Sequence, residues 1–165
     1  MTVRRMFTHL LMPPWRVRQT FPAPALRAIE VAIRDCEKTH TGEIRFAVEA
    51  ALHPLALWSG QTARERAIEI FSQLRVWDTA RNNGVLIYLL LADRDVEIIA
   101  DRGIHPHVSQ ASWDKICRDM EAAFRTGDFQ TGVTGGITAI AALLSRCYPP
   151  GGPDVNELPD RPVVL

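Results

Sequence analysis

The chain has 165 residues, of which 47% are hydrophobic, so it is long enough to build one domain with a sizeable core and leaves little room for a second. Its 19 basic and 19 acidic residues cancel in formal charge, which argues against nucleic acid as a partner, because nucleic-acid binding usually requires a basic face. The longest apolar run, Val85 to Ala92, is too short to cross a bilayer. We therefore predict a cytoplasmic protein without a transmembrane segment.

Residues 1–24 form a predicted N-terminal arm that mixes basic and apolar side chains. The apolar run from Met6 to Met12 is interrupted by Thr8 and His9 and is followed by two prolines, so it does not have the form of a secretory signal. We expect the arm to pack on the domain. Peripheral contact with a membrane surface is the alternative, because suitable basic and apolar side chains are both present: Arg4, Arg5, Arg16, Arg18, Met6, Phe7, Leu10, Leu11 and Trp15.

The first half of the domain is predicted to contain a helix, a strand and a second helix. Apolar residues recur every three or four positions from Ala25 to about Thr39, which predicts an amphipathic helix. Residues 43–50 alternate, with apolar side chains toward the core and charged ones toward solvent, as in a half-buried strand. Thr62 and Glu65 have the spacing of a capping box, and the helix that they open should run to about Leu74.

The second half is predicted to contain a hairpin followed by two helices. Gly84–Ala92 is apolar on both alternating faces, which is typical of a central strand that is covered on both sides. The turn at Asp93–Asp95 is too short for a crossover, so Val96–Ala100 should return antiparallel. Two helices follow. The first is predicted to begin after a cap at Ser109 or Ser112 and to end at Gly127. The second is predicted to begin at Asp128 or Thr131 and to end near Tyr148.

Individual side chains support further packing predictions. The three cysteines lie on apolar stripes of predicted helices and form no CxxC motif, so we expect buried free thiols rather than disulfides or metal ligands. Gly132 and Gly136, four residues apart, favour close packing of the last helix on the sheet. Trp58 and Trp77 flank the second helix and are expected to anchor the core.

These elements predict a three-layer α/β/α sandwich around a small mixed β-sheet, with residues 25–148 as the domain. The strand–helix–strand unit should be a right-handed parallel crossover. The C-terminal tail, residues 149–165, is rich in proline and glycine yet ends in two valines and a leucine. Three fates remain open for it: fraying, extended docking on its own domain, or addition to a strand of a partner.

Polar residues collect at both ends of this predicted sheet, because the first two strands run parallel and the third runs back. One end, the Asp101 edge, gathers Glu43, Asn82, Asn83, Asp101 and Arg102. The other end, the Asp93 edge, gathers residues 49–53 with Asp93 and Asp95. Each edge has enough oxygen ligands for a hard cation such as Ca²⁺ or Mg²⁺.

Each of these residues also fits a purely structural role. Asn82-Asn83-Gly84 is typical of a turn, and Asp93 and Asp95 suit a hairpin turn. A surface ion pair between Asp101 and Arg102 would add little stability. A functional site is therefore inferred from the convergence of several such residues at one edge, and neither edge is singled out by the sequence.

Three stretches of the chain together resemble the TPM domain family of thylakoid-lumen-type proteins: "TGEIRFAVEA", "NNGVLIYLLLADRDVEIIADRGI" and "FRTGDFQTGVTGGITAI". The resemblance covers about residues 25–146. It implies an α/β/α sandwich, and it links the chain to acid phosphatase activity, divalent-metal binding and the upkeep or assembly of membrane complexes such as photosystem II. The loop after Gly103-Ile104 departs from the family pattern, since Ser109, Gln110 and Ser112 stand where an acidic residue is frequent.

Two functions are compatible with these residues. The favoured hypothesis is an accessory domain that binds a protein partner in support of a membrane-associated complex, because no nucleophile constellation is present and the loop lacks its acid. The alternative is a divalent-metal-dependent acid phosphatase that acts on phosphomonoesters. Asp101 and Arg102 would then be catalytic, with Ca²⁺ or Mg²⁺ held by Glu43, Asn83 and Asp101, or at the other edge by Asp93 and Asp95.

Overall fold

The computed structural model of the protein describes residues 3–151 and 155–165; parts of the predicted arm and tail, residues 1–2 and 152–154, lie outside the described residues. The elements in chain order are α1 Val3–Leu10, α2 Trp15–Thr20, α3 Ala23–Glu37, β1 Glu43–Glu49, α4 Pro54–Trp58, α5 Ala63–Gln73, β2 Gly84–Leu90, β3 Asp95–Ala100, α6 Gln110–Thr126, α7 Phe129–Cys147 and β4 Val163–Val164.

The four strands form one mixed sheet in the order β3-β2-β1-β4. β1 and β2 are parallel, with Glu43 opposite Gly84, and β2 and β3 form an antiparallel hairpin, with Val85 opposite Ala100. This pairing confirms the predicted parallel crossover and the predicted hairpin. It also brings the start of β1, the start of β2 and the end of β3 to the same end of the sheet.

Helices cover both faces of the sheet, which confirms the predicted α/β/α sandwich. Alternate residues of β1, β2 and β3 pack with α3, α6 and α7 in the larger apolar cluster. The intervening residues pack with α4 and α5 in a smaller cluster. β2 is buried at every position, as predicted, because both of its faces are covered.

The prediction that β1 has a solvent-facing polar side is wrong. All seven of its residues are buried, including the charged residues Glu43, Arg45 and Glu49. Alternation of charged and apolar residues normally indicates a half-exposed strand, but here the second face is covered by α5 and by the tail. Buried charges of this kind require partners, and those partners determine much of the local structure.

The tail docks on its own domain in extended form, and this is one of the three fates left open by the sequence. Val163 and Val164 pair in parallel with Ala47 and Val48, and the amide of Leu165 donates to the carbonyl of Val48 at 3.0 Å. The tail thus supplies β4, a strand that the predicted element order lacks. Two prolines bias it toward extended backbone, but only the unpaired side of β1 determines where it lies.

Local signals account for several helix ends. Thr62 and Glu65 form the predicted capping box, and Ser109 rather than Ser112 caps α6, where its hydroxyl accepts from the amide of Ser112. Gly127 ends α6 in the left-handed conformation, with φ of 91°. Asp128 rather than Thr131 stands at the start of α7.

Some side-chain predictions need correction. Gly132 and Gly136 face Phe124 and Met120 of α6, so they allow close packing between two helices rather than between a helix and the sheet. Trp58, at the end of α4, and Trp77, in the turn after α5, are both exposed and anchor no core. The cysteines are free thiols, as predicted, but all three are only partly buried: Cys36, Cys117 and Cys147.

No helix within the described part of the chain is long and apolar enough to cross a membrane.

Gly84 is expected to be intolerant of any side chain. A Cβ atom at this position would lie 2.0 Å from the carbonyl oxygen of Val76, which is backbone and has no freedom to move aside. Gly84→Ala should lower the free energy of unfolding by about 3 kcal/mol in urea titration, because an overpacked core costs roughly this much. Gly135→Ala in α7 is the matched control, since its Cβ meets nothing within 4 Å. It should stabilise the protein by about 1 kcal/mol through helix propensity, and equal stability of the two variants would contradict this account.

Candidate functional site

The Asp101 edge brings together two buried polar side chains, each with an oxygen that has no bonded partner. Asn83 and Asp101 are 1% and 8% exposed. The Asn83 amide nitrogen donates to the carbonyl of Thr41 at 2.6 Å, and Asp101 Oδ1 accepts from the backbone N–H of Arg102 at 2.7 Å. Within the described residues, Asn83 Oδ1 and Asp101 Oδ2 are buried and have no hydrogen-bond partner. Such oxygens are uncommon in folded proteins and suit a cation, a water molecule or a ligand donor.

Glu43 lies at the same end of the sheet, but its carboxylate holds the tail. Its two oxygens accept from the backbone amides of Glu157 and Leu158, at 3.1 and 3.2 Å. The predicted metal set of Glu43, Asn83 and Asp101 is therefore not assembled as a cluster of free ligands. Over residues 3–151 and 155–165, no three His, Cys, Asp or Glu side chains are grouped so that they could hold a metal ion.

Arg102 is exposed and is not paired to Asp101 through its side chain. Its Nε donates instead to Asn82 Oδ1 at 3.0 Å. A second arginine that the sequence analysis did not single out, Arg81, donates to Thr41 Oγ1 at 2.9 Å. The edge therefore carries two guanidinium groups, of Arg81 and Arg102, and two buried carboxylates, of Glu43 and Asp101.

The edge is completed by Tyr148, at the end of α7. Its carbonyl accepts from the amide of Thr41, and a Cβ at Gly103 would lie 2.9 Å from its hydroxyl. Burial raises the pKa of Tyr148; Cys147 and Asp101 add to this, and Arg81 opposes it. Sequence reasoning missed Thr41, Arg81 and Tyr148, since they come from three loops far apart in the chain and share no motif.

The Asp93 edge serves as the docking site of the N-terminal arm. Asp93 accepts from Arg5 Nε at 2.9 Å and bonds His9 Nε2 at 3.0 Å. His9 is buried, and its Nδ1 accepts from the amide of Leu52. A neutral ring with its proton on Nε2 satisfies both bonds. The expected packing of the arm is thus observed, and the Asp93 carboxylate, an alternative metal ligand in the sequence analysis, is engaged by two side chains of α1.

Glu49, at the same edge, is fixed by a buried network. Arg66 approaches both of its oxygens, with Nε–Oε2 and NH2–Oε1 distances of 2.9 and 3.0 Å. The Tyr88 hydroxyl donates to Oε2 at 2.6 Å. Burial, reinforced by this hydrogen bond, raises the pKa of Tyr88. A bidentate guanidinium–carboxylate pair of this kind binds α5 to β1 and leaves no free ligand.

Asp95 differs from its neighbours because no hydrogen bond is observed to its side chain among the described residues. Burial raises its pKa to about 6, and the negative charges of Glu97, Glu121 and Asp93 add to the effect. Only one of the two acids of the hairpin turn, Asp93, is therefore strongly paired. Asp95 is a partly buried carboxylate whose charge opposes folding at neutral pH.

The family model of the TPM domain matches residues 18–143. The chain belongs to the TPM domain family.

Solved structures agree with this assignment of the TPM domain. The BA42 protein of the psychrophilic bacterium Bizionia argentinensis, solved by NMR, is 32% identical, with 87% of this chain and 94% of that chain covered and a TM-score of 0.77. The N-terminal domain of a P. gingivalis protein is 16% identical, with 83% and 90% covered and a TM-score of 0.61, which shows a shared fold alone. No protein with a curated description matches the chain.

The loop of this TPM domain that departs from the family pattern has a structural use. Ser109 caps α6, and its hydroxyl also bonds that of Ser112 at 2.9 Å. The hydroxyl groups therefore satisfy amides at the helix start, as an acidic residue can also do. Neither serine supplies a carboxylate to the Asp101 edge.

The raised pKa of Asp95 predicts that Asp95→Asn increases the stability of the fold and that the increase depends on pH. The folded state holds the proton up to about pH 6, whereas the unfolded chain loses it near 3.8. The stability cost of this group is thus absent below pH 4, grows between pH 4 and 6, and is complete above pH 6. Asp95→Asn should raise the free energy of unfolding by about 1–2 kcal/mol at pH 7.5, since part of the shift is screened by solvent, and should have little effect at pH 4. Urea titration at the two pH values tests this, and equal effects at both would contradict it.

Proposed function

We propose that this TPM domain is an accessory protein that binds a protein partner in support of a membrane-associated complex. The observation that carries the proposal is an exposed apolar surface, the arm surface, formed by α1, the start of α2, and α4, against which α1 packs. Its most exposed members, Leu11 and Trp58, are 77% and 76% accessible. The set comprises Phe7, Leu10, Leu11, Trp15, Leu55 and Trp58. Several large, exposed apolar side chains on helices that pack together favour an interaction surface.

The arm surface is rigidly presented, which favours recognition. Arg5 and His9 fix α1 to Asp93, and Val17 of α2 is fully buried in the main core. Between α1 and the end of β1 lies a cavity of about 360 Å³, lined by Leu10, Met12, Pro14, Leu52, Pro54 and Leu165 among others. A preformed apolar recess beside exposed aromatic side chains suits an aliphatic or aromatic anchor from a partner protein. Because the recess is already formed, binding does not require further ordering of this chain, which would cost conformational entropy.

Paired substitutions on the arm surface test this function. Leu11→Glu with Trp15→Glu should abolish capture of the partner from a lysate of the source cells after crosslinking, while the melting temperature stays unchanged because both side chains are exposed. Val31→Glu on α3, also exposed, is the matched control and should retain capture. Partners captured equally by all three proteins would contradict the proposal. A different outcome would point to a membrane surface as the partner. In that case no protein is captured, the wild type sediments with anionic lipid vesicles, and the double variant does not.

A second candidate function is the metal-dependent acid phosphatase. The specific observation in its favour is the pair of buried, unbonded oxygens, Asn83 Oδ1 and Asp101 Oδ2. The donor set fits a divalent cation only in part, because Glu43 is engaged with the tail and two protein oxygens fall short of the six or more ligands that Ca²⁺ takes. Arg102 and Arg81 would then contribute by offsetting the negative charge of a phosphomonoester.

The substitution Asp101→Asn tests the phosphatase candidate. The substitution preserves the oxygen that accepts from the Arg102 amide and replaces the unbonded oxygen by an NH₂ group. If the candidate is correct, hydrolysis of p-nitrophenyl phosphate in the presence of Mg²⁺ or Ca²⁺ should fall at least 100-fold with little change in melting temperature, since removing one essential charge-stabilising group costs about this much. Asp119→Asn, on the exposed surface of α6, is the control. Activity that is absent in the wild type, or that survives in Asp101→Asn, removes the candidate.

A further inference from the structure

A cleft lies on the outer side of β1, away from β2 and β3. It has a volume of about 810 Å³ and runs between the first turns of α3 and the docked tail. Three arginines from three separate elements line it: Arg27 of α3, Arg45 of β1 and Arg161 of the tail. Among the described residues of its lining, one is acidic, Glu30.

Arg45 is the unusual member of this set, because it is a buried cation without a close carboxylate. It is 6% exposed, and none of the ion pairs found in the described residues includes it. Its Nε is buried without a hydrogen-bond partner in that part of the chain, and its one side-chain bond there is a long one, 3.4 Å from NH1 to the carbonyl of Arg161. A buried charge is costly unless it is paired, so this guanidinium has unused capacity for an anion.

The acids nearest to Arg45 are committed elsewhere. Glu30 and Asp160 both bond Arg34, at 2.9 and 3.2 Å, and Asp160 also accepts from Asn156. Glu37 accepts from the amide of Ile44, and burial raises the pKa of its carboxyl to about 8, so that it is mostly protonated at neutral pH. Asp160 therefore gives Arg45 only a distant attraction, and the three arginines retain a net positive charge in the cleft.

The other groups around the cleft favour an anion as well. Arg27 and Arg161 are exposed at its rim, and neither is found in an ion pair among the described residues. Ala23, the first residue of α3, also lines the cleft, so the positive end of a 15-residue helix with no acid in its first turn lies at this wall. Guanidinium forks that approach from several directions match the tetrahedral oxygens of phosphate better than the planar oxygens of a lone carboxylate.

We propose that this cleft binds a phosphate-class anion, free phosphate or the phosphate of a monoester or headgroup, between Arg45, Arg27 and Arg161. The site is a binding site without chemistry of its own, and it is independent of the arm surface and of the Asp101 edge. Because Arg161 belongs to the tail, a bound anion would join the tail to α3 and β1. Phosphate should therefore strengthen the docking of β4 as well as occupy the cleft.

The experiment uses the full chain and titrates inorganic phosphate, with chloride at matched ionic strength as the reference. Phosphate should raise the melting temperature and slow proteolytic cleavage within residues 155–162. Arg27→Ala with Arg161→Ala should weaken phosphate binding at least tenfold in calorimetry, with the melting temperature of the phosphate-free protein unchanged, because both side chains are exposed. Arg118→Ala, an exposed arginine of α6, is the matched control and should bind as the wild type does.

Arg45→Met supplies an independent measurement. An apolar side chain of similar length should leave the phosphate-free protein as stable or more stable, because the buried charge is removed, and the phosphate-dependent rise in melting temperature should disappear. If Arg45→Met does not fold, the double variant of the exposed arginines decides by itself.

Other ligands identify the source of the anion. Phenyl phosphate competing with inorganic phosphate indicates a soluble monoester, and anionic phospholipid vesicles that bind with the same dependence on the arginines indicate a headgroup; either result supports the cleft as a phosphate site. The proposal is overturned if phosphate and chloride act alike, or if the Arg27/Arg161 double variant and Arg118→Ala lose affinity equally, which would indicate only non-specific attraction to surface charge.

Discussion

The buried charges of β1 impose the constraint around which the rest of the molecule is arranged. Glu43, Arg45 and Glu49 all point to the face that a half-exposed strand would give to solvent, yet all three are buried. Each such charge must be compensated, because an isolated buried ion costs several kcal/mol. The Glu49 carboxylate accepts hydrogen bonds from Arg66 of α5 and from Tyr88, and it thereby holds α5. The Glu43 carboxylate accepts from two backbone amides of the tail, and it thereby holds the tail. Arg45 alone lacks a strong partner in the described structure, and the cleft opens beside it.

The two ends of the sheet, which are equivalent in the sequence pattern, have different roles in the structure. At the Asp93 edge the carboxylates of Glu49 and Asp93 are paired with arginine or histidine, so that edge secures α1 and α5. Asp95, which is only partly buried, is the acid of this edge that has no side-chain hydrogen bond among the described residues. At the Asp101 edge, two buried oxygens have no hydrogen-bond partner in the part of the chain that the structure describes, and two arginines lie nearby. An edge that stabilises the fold satisfies its polar groups internally, while one that binds a ligand keeps some of them available. By this criterion the Asp101 edge is the better candidate for chemistry.

The termini contribute more to this TPM domain than their composition suggests. The arm adds two helices, with Val17 and Phe21 in the main core, and the tail adds β4 and buries Leu158 against the second face. Both segments also form exposed surfaces as they dock. The arm presents exposed apolar side chains next to α4, and the tail forms one wall of the arginine cleft. Parts of both surfaces therefore come from segments at or outside the margins of the family match, which spans residues 18–143.

The sequence by itself determined the features that depend on neighbours along the chain. The capping box of Thr62 and Glu65, the stop at Gly127 and the hairpin at Asp93–Asp95 each arise from backbone chemistry within a few residues, and uninterrupted apolarity identified β2 as the central strand. From these the α/β/α sandwich and the residues at each edge could be predicted.

Only the tertiary structure decided which of those polar residues remain available, because availability depends on partners that are distant in sequence. Nothing near Glu43 in the chain indicates that residues 157 and 158 occupy its oxygens, and nothing near Asp93 indicates Arg5 and His9. The same reason explains β4, since the pairing of Val163 with Ala47 spans most of the chain. The burial of Arg45 could not be predicted from the alternation of charged and apolar residues in β1. That alternation shows which residues share a face of the strand, but not what covers the face.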